Sequence, residues 1–174
     1  MIIRWPSSLP LPHPNEYTFA MLKPDGYRAN RLGAVLDLAY NSPAELRPVL
    51  LMEKTLTEPD VEFLYGHVRE KYPEVWPVLR AFQLSDPSVL ILFRGNRKAV
   101  TAWRETMGAT DSIKAPPRTI RAFWGSRTVM CENVVHGSDS FLRALEEISY
   151  FLPDDLNHQV FNLNPYLPKS MTPG

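Results

Sequence analysis

The chain has 174 residues, of which 44% are hydrophobic and 22% charged, proportions that are typical of one folded globular domain and exclude wholesale disorder. Nineteen basic residues balance nineteen acidic ones, so no overall basic field indicates a nucleic-acid partner, and any anion site must be local. No apolar run approaches the roughly 18 residues of a membrane span, and the opening segment is unlike a secretory signal, so we expect a cytoplasmic protein.

Prolines, seventeen in all, are densest at the two ends of the chain, in "PSSLPLPHP" and "NPYLPKSMTPG". Such stretches predict extended, weakly ordered arms. No repeat, low-complexity tract or linker interrupts the sequence between them. The sequence therefore predicts an N-terminal arm over 1–16, one domain over 17–156 and a C-terminal tail over 157–174.

The first half of the domain predicts two strands and three helices. "YTFAMLK" (17–23) is rich in strand-forming residues and stops at the turn tripeptide "PDG". "NRLGAVLDLAYN" (30–41) has the apolar spacing of an amphipathic helix, and "RPVLLMEKTL" (47–56) is a strand with proline near its start. Thr57, with proline two positions later, begins a helix, and "PEVWPVLRAFQL" (73–84) continues as a second, shorter one.

The third predicted strand is "PSVLILFRG" (87–95), a continuous apolar run. The helix "NRKAVTAWRETMG" follows it, and we expect Asn96 to cap its start and Gly108 to end it. The proline-bearing "ATDSIKAPPRT" (109–119) reads as a loop.

The last two predicted elements are the strand "RTVMCENVV" (127–135) and the helix "SDSFLRALEEISYF" (138–151), with Ser138 or Asp139 as its N-cap. Cys131, the only cysteine, is interpreted as a small residue of that strand; a single cysteine excludes an internal disulfide and a cysteine-rich zinc site. The order of elements predicts an α+β sandwich, with helices packed on a four-stranded, largely antiparallel sheet.

Basic and hydroxyl side chains stand at the ends of these elements, around one histidine. They are Lys23, Arg104, Thr110 and Arg121, and the histidine is His136. Each alone fits an ordinary solvated side chain. Together they predict a polyphosphate held against a nucleophile, because arginine forks onto phosphate oxygens, lysine adds a point charge, and imidazole is neutral but still basic near neutral pH.

Four motifs, "TFAMLKPDG", "MGATD", "RTIRAFW" and "NVVHGSDS", occur in an order that resembles the nucleoside diphosphate kinase family over about residues 17–152. The resemblance implies a ferredoxin-like βαββαβ sandwich with a four-stranded antiparallel sheet and an extra helical hairpin. It also implies an enzyme that moves the terminal phosphoryl group of a nucleoside triphosphate to a nucleoside diphosphate through a phosphohistidine.

Residue by residue, the resemblance makes His136 the phosphorylated histidine and Glu147 the carboxylate that orients its ring, with Lys23 also at the reaction. The nucleotide-binding residues that it implies are Lys23, Arg104, Thr110 and Arg121 for the phosphates, Asn133 for the sugar, and Ser138 beside the histidine. Mg²⁺ is expected to arrive with the nucleotide rather than to occupy a protein site. The remaining histidines have no spacing typical of a metal site.

The sequence departs from the family pattern around the nucleotide base. Where the family places an aromatic side chain over the base, this chain has Val75, with Trp76 beside it. Both are predicted nucleotide-binding residues, and Trp76 would have to replace the missing aromatic stack. A family tyrosine on the preceding helix is matched by His67, or by Tyr65 if the alignment shifts.

A second departure affects a loop. Arg118 replaces the family's glycine, and Ala122-Phe123 replaces Gly-Asp after the second phosphate arginine. Family members assemble as tetramers or hexamers built from dimers, often through this loop. We therefore predict a homo-oligomer, as a dimer or a variant tetramer, rather than a standard hexamer.

Two alternative functions remain open at this point. The same fold and histidine would also suit a nucleotide-sensing or phosphate-relay protein with little turnover. A non-catalytic ferredoxin-like interaction module would need exposed aromatic residues on its central strands and a basic face, and neither pattern is present in the sequence.

Overall fold

Six strands form two antiparallel sheets within the residues that the structure, a computed structural model, describes: 2–6, 13, 16–96, 98–151 and 158–162. The larger sheet has the order β3-β4-β2-β5, with every neighbouring pair antiparallel. Its strands are β2 (Tyr17–Leu22), β3 (Arg47–Lys54), β4 (Ser88–Arg94) and β5 (Val135–Gly137). The smaller sheet pairs β1 (Ile2–Pro6) with β6 (His158–Asn162).

Helices connect and cover the larger sheet. They are α1 (Pro24–Arg28), α2 (Leu32–Tyr40), α3 (Glu58–Lys71), α4 (Trp76–Gln83), α5 (Ala99–Met107), α6 (Ile120–Trp124) and α7 (Phe141–Phe151), with one 3₁₀ turn at Ser112–Lys114. The βαββαβ order and the α3–α4 hairpin confirm the predicted ferredoxin-like α+β fold.

The two central strands, β2 and β4, are buried on both faces, which explains their unbroken apolar sequences. Alternate residues of β2 enter different cores. Phe19 and Met21 pack with residues of α3, α4 and α7, whereas Ala20 and Leu22 pack with residues of α2, α5 and α6. Full burial of each large apolar side chain stabilises the fold by about 1.5–3 kcal/mol. The sheet is therefore fixed from both sides, and its strand ends hold side chains in defined places.

Two predictions of local structure are wrong. "PDG" forms the start of helix α1 rather than a turn, since Pro24 occupies the first helical position and Asp25 accepts a hydrogen bond from the Val134 amide. Of the strand predicted over 127–135, only Val135 lies in β5, because the segment before it folds back on itself. The Ser126 amide donates to the Glu132 carbonyl at 2.7 Å.

The predicted helix caps also need correction. Lys98, with a positive φ of 47°, precedes α5, so Asn96 is not its cap. The hydroxyl of Ser140, rather than Ser138 or Asp139, accepts the Arg143 amide at the start of α7. Gly108 ends α5 as predicted, with a φ of 84° that other residues rarely adopt.

The described parts of the two proline-rich arms pair with each other, Ile2 opposite Asn162 and Pro6 opposite His158. The sequence predicted extended arms but no such partnership. The predicted boundary at 156, most of "PSSLPLPHP" and all of "NPYLPKSMTPG" lie outside the described residues. No helix in the described part of the chain combines the length and the hydropathy needed to cross a bilayer.

Candidate functional site

A cavity of about 700 Å³ opens between the α3–α4 hairpin and the loops that precede and follow β5. It brings together most of the residues that the sequence selected, from every part of the domain. These are Lys23, Val75, Arg104, Thr110, Arg121, Asn133, His136 and Glu147. Trp76 and Ser138 are not part of its lining.

His136 pairs with a buried carboxylate at the wall of the cavity. Its Nε2 lies 3.1 Å from Oε1 of Glu147, which is only 1% exposed. The hydroxyl of Ser138 donates to the other carboxylate oxygen. Because an ionised carboxylate only accepts hydrogen bonds, Nε2 carries the proton in this pairing. The lone pair therefore resides on Nδ1.

The backbone around His136 is held by tertiary contacts. Strand β5 pairs His136 with Met21 of β2, and the indole Nε1 of Trp103 donates to the His136 carbonyl at 3.1 Å. Only glycine fits at Gly137, because a Cβ there would lie 2.4 Å from Trp103. Val134 has a φ of 70°, a conformation that costs roughly 1–2 kcal/mol for a residue with a Cβ.

Lys23 enters the cavity from the end of β2 and is only 4% exposed. Its ammonium donates to the carbonyl of Cys131 at 2.5 Å and to Oδ1 of Asn133 at 2.7 Å. Burial lowers the pKa of Lys23 to about 8, with the nearby Arg121 charge acting in the same direction and Asp25 opposing it. An ammonium has three donors, so one remains for a ligand.

Arg121 is also buried, and its guanidinium spans two backbone carbonyls. Nη1 donates to Gly108 at 2.9 Å and Nη2 to Val135 at 2.8 Å, while Nε has no partner among the described residues. Burial lowers the pKa of Arg121 to about 10, which leaves it charged at neutral pH. Arg104 is more exposed and forms an ion pair with Asp139. Of the basic side chains that line the cavity, Lys23 and Arg121 are therefore largely removed from water, whereas Arg104 is exposed.

The predicted sugar-binding and hydroxyl residues are linked to each other. Asn133, which is buried, accepts from Lys23 and donates through Nδ2 to the carbonyl of Thr110 at 2.9 Å. Thr110 itself is exposed at the cavity wall. Both alternatives for the helix tyrosine, Tyr65 and His67, line the cavity, but only Tyr65 contacts His136, with ring centroids 5.5 Å apart.

Sequence reasoning missed several residues of the exposed wall. Tyr72 and Met130 line the cavity beside Val75, with 46% and 61% of their surface exposed. We call Tyr72, Val75 and Met130 the exposed apolar set. Trp76 instead packs against the core, under the guanidinium of Arg69. A helix turns by about 100° per residue, so an alignment uncertain by one position could not separate Val75 from Trp76.

No group of three histidine, cysteine or acidic side chains within the described ranges could hold a metal ion by itself. The carboxylates of the cavity are Glu147, which is engaged by its neighbours, and Asp139, which is exposed. Phosphate oxygens and one carboxylate are a donor set that Mg²⁺ accepts while it keeps several waters. The residues present thus fit a metal that arrives on a nucleotide.

Comparison with known proteins decides the family. A family model described as nucleoside diphosphate kinase matches residues 16–156. The chain belongs to the nucleoside diphosphate kinase family. It is therefore a phosphotransferase, as the sequence predicts.

Several curated members of the nucleoside diphosphate kinase family resemble the chain over almost their whole length. The protein named nucleoside diphosphate kinase from Anaeromyxobacter sp. (strain Fw109-5) is 37% identical over 144 residues, covering 83% of this chain and 94% of the relative. The one from Deinococcus radiodurans is 37% identical over 139 residues, 80% and 96% of the two chains. The crystal structure of the enzyme from Encephalitozoon cuniculi superimposes with a TM-score of 0.72 at 23% identity, covering 81% of this chain and 91% of that one, which shows the shared fold.

Proposed function

We propose that the protein transfers the terminal phosphoryl group of a nucleoside triphosphate to a nucleoside diphosphate through a phosphohistidine at His136. The observation that carries the proposal is the pairing of His136 Nε2 with the buried Glu147 carboxylate, 3.1 Å apart, at the wall of a cationic cavity. Membership of the nucleoside diphosphate kinase family supports the reaction class. The substrates are accordingly nucleoside triphosphates and diphosphates.

The reaction consists of two matching half-reactions. The Nδ1 lone pair of His136 attacks the terminal phosphorus, the N–P bond forms, and the bond to the bridging oxygen breaks, so that the diphosphate leaves with the electron pair. Glu147 accepts a hydrogen bond from Nε2–H throughout and stabilises the positive charge that develops on the ring. A second diphosphate then binds in the same place and takes the phosphoryl group by the reverse step.

Three cations hold the phosphates in this proposal. Lys23 and Arg121 are fixed by backbone carbonyls before any ligand binds, which supports a preorganised site. Arg104 adds a more exposed charge, and the Thr110 hydroxyl adds a donor at the wall. Bound Mg²⁺ would neutralise phosphate charge, and Asp139, the exposed carboxylate of the cavity, would hold it in exchange for the ion pair with Arg104. Asn133 would bind the hydroxyl groups of the sugar.

The base has a different environment from the phosphates. The exposed apolar set offers a surface on which a planar ring can lie, and Tyr72 is its only aromatic member. Val75 stays a predicted base contact, and Tyr72 takes the place that the sequence gave to Trp76. Such a surface offers few hydrogen bonds to base edges, so we expect little discrimination among bases.

The decisive experiment is incubation with γ-labelled ATP and Mg²⁺. The wild-type protein should retain label that is labile in acid and stable in base, and a nucleoside diphosphate should remove it. His136→Ala should take up none while retaining the wild-type circular dichroism spectrum, because its backbone can still pair in β5 and accept from Trp103. Label that persists on His136→Ala would contradict the assignment.

Turnover separates the proposal from a nucleotide sensor or phosphate relay with the same histidine. In a coupled assay with ATP and a second nucleoside diphosphate, an enzyme should reach at least about 1 s⁻¹, the lower end of the common range. A labelled protein that turns over far more slowly would favour the relay. A cytoplasmic location and the lack of a nucleic-acid partner stay predictions.

We also propose that the protein assembles with copies of itself. The outer strand β3 exposes Val49 and Leu51, and its edge is unpaired in the described part of the chain. Arg118 has a φ of 69° in the loop before α6, and the exposed Phe123 lies within α6, so that both positions of the departure from the family lie in one region. These features support a dimer or variant tetramer. Light scattering at micromolar concentration should give a mass above that of one chain and below that of a hexamer.

A further inference from the structure

Arg143 is a basic residue of the cavity that the reaction described above does not use. It lies on α7, one turn before Glu147, and is about two-thirds buried with 29% of its side chain exposed. Its Nε donates to Oε1 of Glu147 at 3.2 Å. The same oxygen lies 3.1 Å from Nε2 of His136. One carboxylate oxygen is therefore shared between the guanidinium and the imidazole.

The guanidinium of Arg143 is held on its other edges too. Nη2 donates to the backbone carbonyl of Phe63 at 2.7 Å, and Nη1 to Glu146 at 3.2 Å. The cation also lies over the ring of Phe63, 4.5 Å from its centroid. A planar fork with contacts on several edges loses little freedom when it binds a carboxylate. Arg143 thus bridges α7 to α3 and presents Nε in a fixed direction.

We propose that Arg143 is a positioning residue for the phosphorylation of His136, which acts by holding the Glu147 carboxylate against Nε2 of the imidazole. The inference rests on the proposed function of His136. It adds a residue that does not touch the phosphoryl group in this scheme.

The physical basis is charge and direction. The Glu147 carboxylate is buried, and a buried charge is costly unless it is paired and hydrogen-bonded. Ser138 supplies a donor to one oxygen, and Arg143 supplies both a donor and the countercharge to the other. Without Arg143, Oε1 has only the imidazole as a partner among the described residues. The carboxylate then rotates more freely, and the ring samples orientations and tautomers that leave Nδ1 unsuited to attack.

The test compares Arg143→Gln with wild type in single-turnover phosphorylation by γ-labelled ATP, quenched on the millisecond scale. We expect the phosphorylation rate constant to fall about tenfold, a typical effect of removing a group that orients a functional histidine, with the nucleotide Kd changed less than twofold. Arg143→Lys should recover part of the rate, because an ammonium restores the charge without the fork. Arg80→Gln, an exposed arginine paired with Glu58 outside the cavity, should leave both quantities unchanged.

A spectroscopic readout separates positioning from general loss of structure. In ¹⁵N spectra of the imidazoles, wild-type His136 should show the neutral tautomer with the proton on Nε2, and Arg143→Gln should show a mixture. An unchanged rate constant with an unchanged tautomer would overturn the inference, as would a change in Kd alone. If wild-type protein takes up no label, the proposed function fails; if it does and Arg143→Gln matches it, only the role of Arg143 fails.

Discussion

The two sides of the cavity are built on different principles. Lys23, Arg121 and Glu147 form a buried set, at most 8% exposed, and each has hydrogen-bond partners that fix it before a ligand arrives. Tyr72 and Val75 of the exposed apolar set are each more than 40% exposed, and within the described residues their hydrogen bonds join only backbone atoms of the hairpin. One side is rigid and charged, and the other is open and apolar.

The difference indicates which part of a substrate is recognised by geometry. Phosphoryl transfer demands fixed charges, because preorganised groups need no rearrangement as the reaction proceeds. A base that is held only by stacking needs a flat apolar surface and no hydrogen-bonding groups in fixed directions. Substitutions in the buried set should therefore lower kcat, whereas those in the exposed set should change KM.

Removal of the Lys23 charge should give the largest effect. Lys23→Met keeps the length of the side chain but leaves the phosphates without a buried cation, so we expect kcat to fall about 10³-fold, as when one preorganised donor is lost. The measurement is steady-state turnover in the coupled assay. A loss below tenfold would mean that Lys23 serves the fold more than the reaction.

Neutralisation of Glu147 should have the next largest effect. Glu147→Gln keeps the shape of the side chain but replaces one carboxylate oxygen with an NH2 group, so that either Ser138 or His136 loses its acceptor. We expect kcat to fall about 10²-fold. The control is Glu58→Gln, a glutamate that is ion-paired with Arg80 outside the cavity and should leave kcat unchanged. If both substitutions lowered kcat equally, the buried position of Glu147 would have no particular importance for turnover.

The pH dependence should report the burial of Lys23. With a pKa lowered to about 8, its ammonium is present below that pH and is lost as pH rises through it. We therefore expect kcat/KM to fall above about pH 8, approaching tenfold per unit. Lys23→Arg, whose guanidinium keeps its proton, should lack this fall.

The stability of the protein should show the same titration with the opposite sign. The ordinary pKa of lysine is 10.5, so between about pH 8 and 10.5 the unfolded chain holds a proton that the folded protein has released. Lys23 therefore contributes a rise in the free energy of unfolding with pH in that window. Lys23→Met should lose this contribution in urea titrations at several pH values, and an identical pH dependence would show that Lys23 is not the group responsible.

Substitution of Tyr72 should give the smallest effect. Tyr72→Ala removes about 1 kcal/mol of stacking, so we expect KM to rise about fivefold with kcat unchanged. Trp76→Ala provides the comparison, since that ring packs against the core outside the cavity lining and should change thermal stability more than KM. If Trp76→Ala raised KM and Tyr72→Ala did not, the base would contact Trp76, as the sequence predicted.

The sequence predicted the fold well because long periodic segments determine it. The apolar runs of β2 and β4 and the helices α2, α3 and α7 were all recognisable from spacing. Failures occurred where distant residues decide local structure. The segment 127–135 contains strand-forming valines, but only the part that lies beside Ala20–Leu22 finds a partner in the sheet. Similarly, "PDG" lies in a helix in which the Asp25 carboxylate accepts a hydrogen bond from the distant Val134 amide.

The candidate site was predictable in so far as its residues carry chemistry. Lys23, Arg121 and His136 were selected as charged or nucleophilic groups at element ends, and the structure brings them to one cavity. Arg143 was missed because, in sequence, an arginine four residues before Glu147 on a helix resembles an ordinary surface pair. Only the fold reveals that the partner carboxylate is buried. Tyr72 was missed because nothing in the sequence distinguishes it from other helix-end aromatics.

The contact between Trp103 and the backbone of His136 has a thermodynamic consequence. The indole bonds the carbonyl and fills the space beside Gly137, on the backbone rather than at the reacting ring nitrogen. Because this hydrogen bond is made to the main chain, it holds the backbone of the histidine in place without contacting the ring nitrogen that reacts. The entropy lost in placing the imidazole is therefore lost when the chain folds, and it is not added to the barrier of each transfer.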